Sequence, residues 1–288
     1  MGGKARNYEF GIKPVPLHRF LFTATLTCAS RFVQARDRLL GRVPRSRPAC
    51  ATLSASQQSI RSGKNLLDAV YAEPAPGPPR SAILICHGIG EVVAQWFSIQ
   101  RIFAENGIAS LVFDYSGYGR STGRPDWLQC EQDAVAAFQL LQQLAPNCPT
   151  SLLGFSLGTG VAPAILDRVT PHRLILCAGY SSFRNAARAA WIPGFISPLV
   201  PPIWSAKEAL RNCSLPVLIV QGTNDRLFGM QMAHDLVDCC DGRADLLVLP
   251  ARSHNYPVYH PQMEYWGPII NWMLQETRVP VRPALVRR

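Results

Sequence analysis

A chain of 288 residues, 48% hydrophobic and 17% charged, can bury one large core and is too apolar to be disordered. Its formal net charge of +10 is carried by the ends: residues 1–64 hold twelve Lys or Arg against Glu9 and Asp37, whereas residues 65–277 hold thirteen basic and seventeen acidic residues. A folded nucleic-acid-binding face needs its Lys and Arg clustered within the domain, so this distribution excludes nucleic acid as a partner.

Residues 1–50 form a basic leader, set apart from the domain that follows. The apolar run FLFTATLTCA is too short to cross a bilayer, and Arg19, Arg31, Arg36 and Arg38 around it suit an amphipathic helix on a surface. Three readings stay open: a helix that docks on a membrane or on the protein itself, a mobile basic arm, or a processed signal whose cleavage site at Thr27-Cys28-Ala29 is a poor match. Pro44 to Pro48 reads as a linker.

From residue 51 to 277 a regular alternation sets in. Ser59 to Ala72 reads as a hairpin turning at Ser62-Gly63-Lys64-Asn65. The continuous apolar run AILIC at 82–86 predicts a strand buried on both faces. A helix follows over 93–106, closed by Gly107, then a strand over 109–113 ending at Asp114, and a helix over 125–144. A strand at 150–155 runs into another helix, which Pro163 should kink because it removes an interior N–H bond. Further strands are expected at 173–178, 216–221 and 244–249, with helices near 230–239 and 262–276. Strands alternating with helices in this way predict an α/β fold, a mostly parallel doubly wound sheet flanked by helices.

Residues 179–213 break the rhythm. The segment is rich in proline and aromatics and reads as a small lid insertion, or else as a packed connector. As a lid it would make a substrate pocket apolar, with Trp191, Phe195 and Trp204 as candidate lining. Residues 278–288 form a basic tail.

Nine cysteines with no C-x-x-C spacing or metal-ligand rhythm suggest reduced thiols in a reducing, cytoplasmic compartment. No metal or organic cofactor is expected.

The chemistry centres on Gly154-Phe155-Ser156-Leu157-Gly158. A G-x-S-x-G pentapeptide at a strand-to-helix turn holds its serine in a strained conformation above the strand ends, and only small residues fit two places either side. A serine hydroxyl needs a base to take its proton and an acid to hold that base's tautomer. Both should stand on loops at the carboxyl ends of strands. Asp225 follows the strand ending near Gln221, and His254 follows the strand ending at Leu249, giving the order Ser156, Asp225, His254. His260 is the nearest rival base; His172, His234 and His18 are poorly placed. The Leu157 N–H and, from the glycine-flanked turn Cys86-His87-Gly88-Ile89-Gly90, the Ile89 N–H are the candidate oxyanion donors, and His87 reads as structural.

Strand-H-G-I-G, D-Y-S-G-Y-G-R-S-T-G at 114–123, G-F-S-L-G, Q-G-T-N-D and S-H-N together resemble the α/β-hydrolase superfamily over residues 55–277. The glycine-rich turn and compact lid are similar to the Bem46-like small serine hydrolases, which include protein depalmitoylases. The resemblance implies a serine hydrolase that cleaves esters or thioesters of apolar, lipid-like acyl groups through an acyl-enzyme. It also implies that Asp114 to Gly119 is a structural turn. A peptidase of the same fold, or a non-catalytic binding member, would carry the same pattern.

Overall fold

The computed structural model describes residues 17–44, 53–189, 200 and 202–275. Among them eight strands form one sheet in the order β1-β2-β4-β3-β5-β6-β7-β8. The hairpin β1 (Leu53–Ser62) and β2 (Asn65–Pro74) turns at residues 63–64, and β2 joins β4 (Ile108–Phe113) antiparallel. From there β3 (Ser81–Cys86), β5 (Thr150–Phe155), β6 (Arg173–Cys177), β7 (Val217–Gly222) and β8 (Ala244–Leu249) pair parallel. Every residue of β3 to β7 is buried, as continuous apolar runs require when helices cover both faces.

Side chains of successive strand residues point to opposite faces, so the runs feed two cores. Leu84, Leu111, Leu152, Leu174 and Ile219 pack against α3 (Trp127–Leu144), α4 (Gly158–Ala164), α6 (Ala206–Arg211) and α7 (Met230–Val237). Ile83, Ile85, Val112, Leu153, Ile175 and Leu218 pack against α2 (Val93–Glu105) and α9 (Met263–Leu274), where Trp96, Phe103 and Trp266 meet edge to face. The N-cap of α3 is Asp126, whose carboxylate accepts from the Leu128 and Gln129 N–H groups.

Three local outcomes differ from the sequence expectations. Pro163 ends α4 instead of kinking a longer helix: the chain leaves through tight i to i+3 bonds, Ile165 N–H to the Ala162 carbonyl and Leu166 N–H to the Pro163 carbonyl. A short α8 (Tyr256–Tyr259) forms just after His254. The helix expected near 230–239 ends at Val237, and Cys239 and Cys240 follow in a 3-10 turn with their thiols on the Asp235 and Leu236 carbonyls. The eight described cysteines are all free thiols.

Of the leader, α1 (Leu17–Leu39) is described, and it lies against the domain. Leu26 enters the core, and Val33 packs so close to Gly90 that a Cβ there would fall 2.4 Å from the valine Cβ. Asp37, fully buried, accepts from Arg36 Nε at 2.9 Å, the Tyr259 hydroxyl at 2.8 Å and Gln95 Nε2 at 3.2 Å, tying α1 to α2 and α8. Of the aromatic segment, α5 (Phe183–Ala189) and α6 are described; the linker from residue 45 and the basic tail lie outside the described residues.

Candidate active site

The sheet delivers Ser156 at the carboxyl end of β5. Its φ of +50° lies in the left-handed region, a conformation that costs a residue with a Cβ about 1–3 kcal/mol and must be held by its surroundings. Three hydrogen bonds hold it: Ser156 N–H donates to the Cys177 carbonyl at 3.1 Å, and the Ser156 carbonyl accepts from Thr159 N–H at 3.0 Å and Thr159 Oγ1 at 2.6 Å. The flanking glycines are required by contact. A Cβ on Gly154 would sit 2.4 Å from the Gly158 carbonyl oxygen, and one on Gly158 would sit 1.9 Å from the Cys86 carbonyl oxygen. The elbow is therefore pressed against the end of β3.

Loops after β7 and β8 bring the partners. They approach so closely that a Cβ on Gly222 would lie 2.2 Å from the Arg252 carbonyl oxygen, and Asn224 N–H donates to that carbonyl. His254 Nε2 stands 2.9 Å from Ser156 Oγ, and its Nδ1 stands 2.8 Å from Asp225 Oδ2. Facing a carboxylate, Nδ1 carries the proton, which leaves Nε2 as acceptor for the serine hydroxyl. The ring is held between Phe155 and Phe228, at centroid distances of 5.7 and 5.1 Å.

Asp225 is saturated with donors. Oδ1 accepts from Leu227 and Phe228 N–H, each at 2.9 Å, and Oδ2 accepts from Gln221 Nε2 at 3.1 Å as well as from His254. Burial alone would raise this carboxyl, but the hydrogen bond and charge of His254 and the backbone donors outweigh it and hold Asp225 below its ordinary pKa.

On the other side of Ser156 lies the turn after β3. His87 Nδ1 is 2.8 Å from the Gly88 carbonyl and so carries its proton; burial pushes the His87 pKa down to about 4, so the ring is neutral. The Gly88 carbonyl and the Ile89 N–H belong to one planar peptide, so a carbonyl pinned by His87 points that N–H the opposite way. Glu91 completes the brace: Oε2 accepts from Gly88 N–H at 2.8 Å and Trp96 Nε1 at 3.0 Å. Burial pushes its carboxyl up to about 7. Among the described residues, neither the Leu157 nor the Ile89 N–H donates to another backbone carbonyl. Asp114 holds its own turn by accepting from Val93 and Arg120 N–H, and a Cβ on Gly119 would collide with it at 1.8 Å.

The structure thus brings Ser156, Asp225 and His254 together from three loops, with Leu157 next in the chain to Ser156 and Ile89 on the turn after β3, whose end the elbow touches. The rival histidines go elsewhere: His172 Nδ1 accepts from Thr150 N–H, and His260 stacks on Tyr256 at 5.4 Å. Trp191 and Phe195 lie outside the described residues. Trp204 is buried, packs edge-on to Phe183, and donates its indole N–H to Glu131 at 3.0 Å. It borders a cavity of about 600 Å³ between α4 and α6 whose lining includes neither Ser156 nor His254. Sequence reasoning missed Gln221 and Glu91; each has as its only signal a polar residue beside a strand end or glycine turn.

A family model described as "Serine aminopeptidase, S33" matches residues 77–208, a span that includes Ser156 and stops short of Asp225. The uncharacterized protein Rv2307c of Mycobacterium tuberculosis is 26% identical over 191 residues, 65% of this chain and 67% of that protein. The lysophosphatidylserine lipase ABHD12 of Macaca fascicularis is 26% identical over 206 residues, 65% of this chain; the chain matches 50% of the lipase's length. The esterase Pf2001 of Pyrococcus furiosus superposes with a TM-score of 0.63 at 15% identity, over 80% of this chain and 97% of the esterase.

Proposed function

Because the chain belongs to the α/β-hydrolase superfamily, we propose that it is a serine hydrolase that cleaves carboxylic ester or thioester bonds of apolar acyl substrates. One observation carries the reading: a single imidazole spans 2.9 Å to Ser156 Oγ and 2.8 Å to Asp225 Oδ2, with both of its nitrogens committed. In the first half-reaction Ser156 Oγ bonds to the substrate carbonyl carbon as its proton passes to His254 Nε2. Leu157 and Ile89 N–H hold the resulting oxyanion, each worth about a hundred- to a thousandfold in rate. Collapse expels the alcohol or thiol, protonated by His254, and leaves Ser156 acylated. Water, deprotonated by the same nitrogen, then releases the acid. The names of the lipase and esterase relatives support an ester over other acyl bonds.

The description of the family model favours a second reading, cleavage of an aminoacyl bond. An aminopeptidase needs a free carboxylate to receive the substrate's amino group. Asp37, Glu91, Asp114, Asp133 and Asp225, the buried carboxylates among the described residues, are all engaged in hydrogen bonds within the fold. The ester reading is therefore preferred.

Ser156→Ala should abolish both hydrolysis of short-chain acyl esters and labelling by a fluorophosphonate, each read against a chain-length series and aminoacyl amides. Labelling that persists in the variant would remove Ser156 as the nucleophile.

A further inference from the structure

The outer face of α1 is the most exposed apolar surface among the described residues. Of the large hydrophobic side chains that stand in solvent, the three most exposed are Leu39 (87%), Phe32 (69%) and Leu40 (55%), all on or just after the last turns of this helix. Phe32, Ala35 and Leu39 follow one another at helical spacing, and Arg31 and Arg38, exposed and seven residues apart, run along one edge of them. Neither arginine pairs with a carboxylate among the described residues, and the only acidic residue of the helix, Asp37, is turned inward and buried. A stripe of bare apolar side chains edged by unpaired arginines, with no acid on the same face, is complementary to an anionic lipid surface: apolar groups enter the acyl boundary while guanidinium groups meet headgroup phosphates. A second copy fits worse, because an isologous pair would set arginines against arginines. Among the described residues no helix is long and apolar enough to cross a membrane, so the expected mode is lying on the surface.

The inner face of the same helix reaches the catalytic rim. Val33 packs on Gly90, next to Ile89, and Asp37 binds Tyr259 of α8, five residues beyond His254. We infer that the outer face of α1 docks this protein on an anionic membrane surface, seating the Ser156 rim beside the bilayer so that its substrates are acyl esters drawn from that membrane. The substrate clause rests on the hydrolase reading above; the docking clause does not.

The test uses the full chain and vesicles of phosphatidylcholine with phosphatidylserine, compared with phosphatidylcholine alone, read by flotation at low and high salt. Wild type should prefer the anionic vesicles by at least about tenfold at low salt and lose that preference at high salt. Arg31→Glu with Arg38→Glu should bind at least about tenfold more weakly, and Phe32→Ser with Leu39→Ser should also weaken binding, both with thermal unfolding unchanged. The inference is overturned if either double variant binds as wild type does, which would put the contact on the basic ends, or if wild type binds neutral vesicles equally well. It is also overturned if the apolar variant converts a dimer to a monomer in sedimentation, which would assign the face to a second copy. Flotation does not depend on turnover, so a wrong nucleophile shows only as Ser156→Ala that still hydrolyses ester, and a wrong docking face shows only in the vesicles.

Discussion

Two buried carboxylates stand on either side of Ser156 and are driven in opposite directions. Asp225 accepts four hydrogen bonds, one from an imidazole that gains positive charge when it takes a proton, and sits below its ordinary pKa. Glu91 accepts from an amide N–H and an indole N–H, both neutral, and burial wins, raising it to about 7. Both are buried, Glu91 the more deeply, and beyond that what differs is whether a charge answers the burial. One side of the site is built to keep a negative charge beside His254. The other side holds a loop in shape and tolerates a proton.

Asp225→Asn breaks the comparison most severely. The Asn oxygen can still accept from the Leu227 and Phe228 N–H groups, but its amide presents a donor to His254 Nδ1. The imidazole then carries its proton on Nε2, facing Ser156, and cannot act as base; kcat on a soluble ester should fall about ten-thousandfold with the fold retained. Linkage adds a check. A lowered native pKa stabilises the fold above the ordinary carboxylate range, and this stability is lost as pH falls through the native value, so acid unfolding of the variant should lack that component.

Gly158→Ala attacks the contact that joins the two sides. Its Cβ would meet the Cys86 carbonyl, a strand backbone that cannot swing away, so the elbow must shift relative to the turn carrying Ile89. A displacement near 1 Å should cost about a hundredfold in kcat, with about 1–3 kcal/mol of stability, read by ester assay and thermal melt. Gly229→Ala, where nothing lies within 4 Å of the new Cβ, is the control for added volume: kcat should hold, and stability should fall by no more than about 1 kcal/mol, from a weakened N-cap on α7.

Much of this site could be read from the chain because its information is local. A glycine two places either side of Ser156, an aspartate just past β7 and a histidine just past β8 each declare themselves within a few residues, and parallel strands carry them to one rim. The runs that became β3 to β7 were equally legible, since burial on both faces leaves little room for a polar break. What the sequence hid depends on distant partners. Asp37 looks like one acid in a basic leader, and only Gln95 and Tyr259, far along the chain, make it a buried anchor. Trp204 stands in an aromatic segment that suggests a pocket, yet nothing local directs its indole toward Glu131 on α3. The opposite fates of Asp225 and Glu91 are likewise tertiary, set by which donors the folded neighbours offer.

Glu91 gives the mildest test and the one that separates shape from charge. Glu91→Gln keeps an acceptor for the Gly88 and Trp96 N–H groups, so kcat should stay within about threefold of wild type if the brace works by geometry alone. Glu91→Ala removes the acceptor, leaves two buried donors without it at about 1–3 kcal/mol each, and should lower kcat with little change in KM if, as proposed, the loosened turn carries a transition-state contact through Ile89. The pH dependence has a definite sign. An acid whose pKa rises from 4.5 to about 7 on folding keeps its proton in the fold while the unfolded chain gives it up, so stability falls as pH rises across that window. At about 1.4 kcal/mol per pKa unit the group's share is roughly 3 kcal/mol, and Glu91→Gln, which cannot titrate, should flatten the fall between pH 4.5 and 7 by that order. Asp114, also pushed up to about 7 by burial, would still titrate in the variant, so a residual slope is expected and a profile identical to wild type would show that Glu91 is ionised in the fold after all.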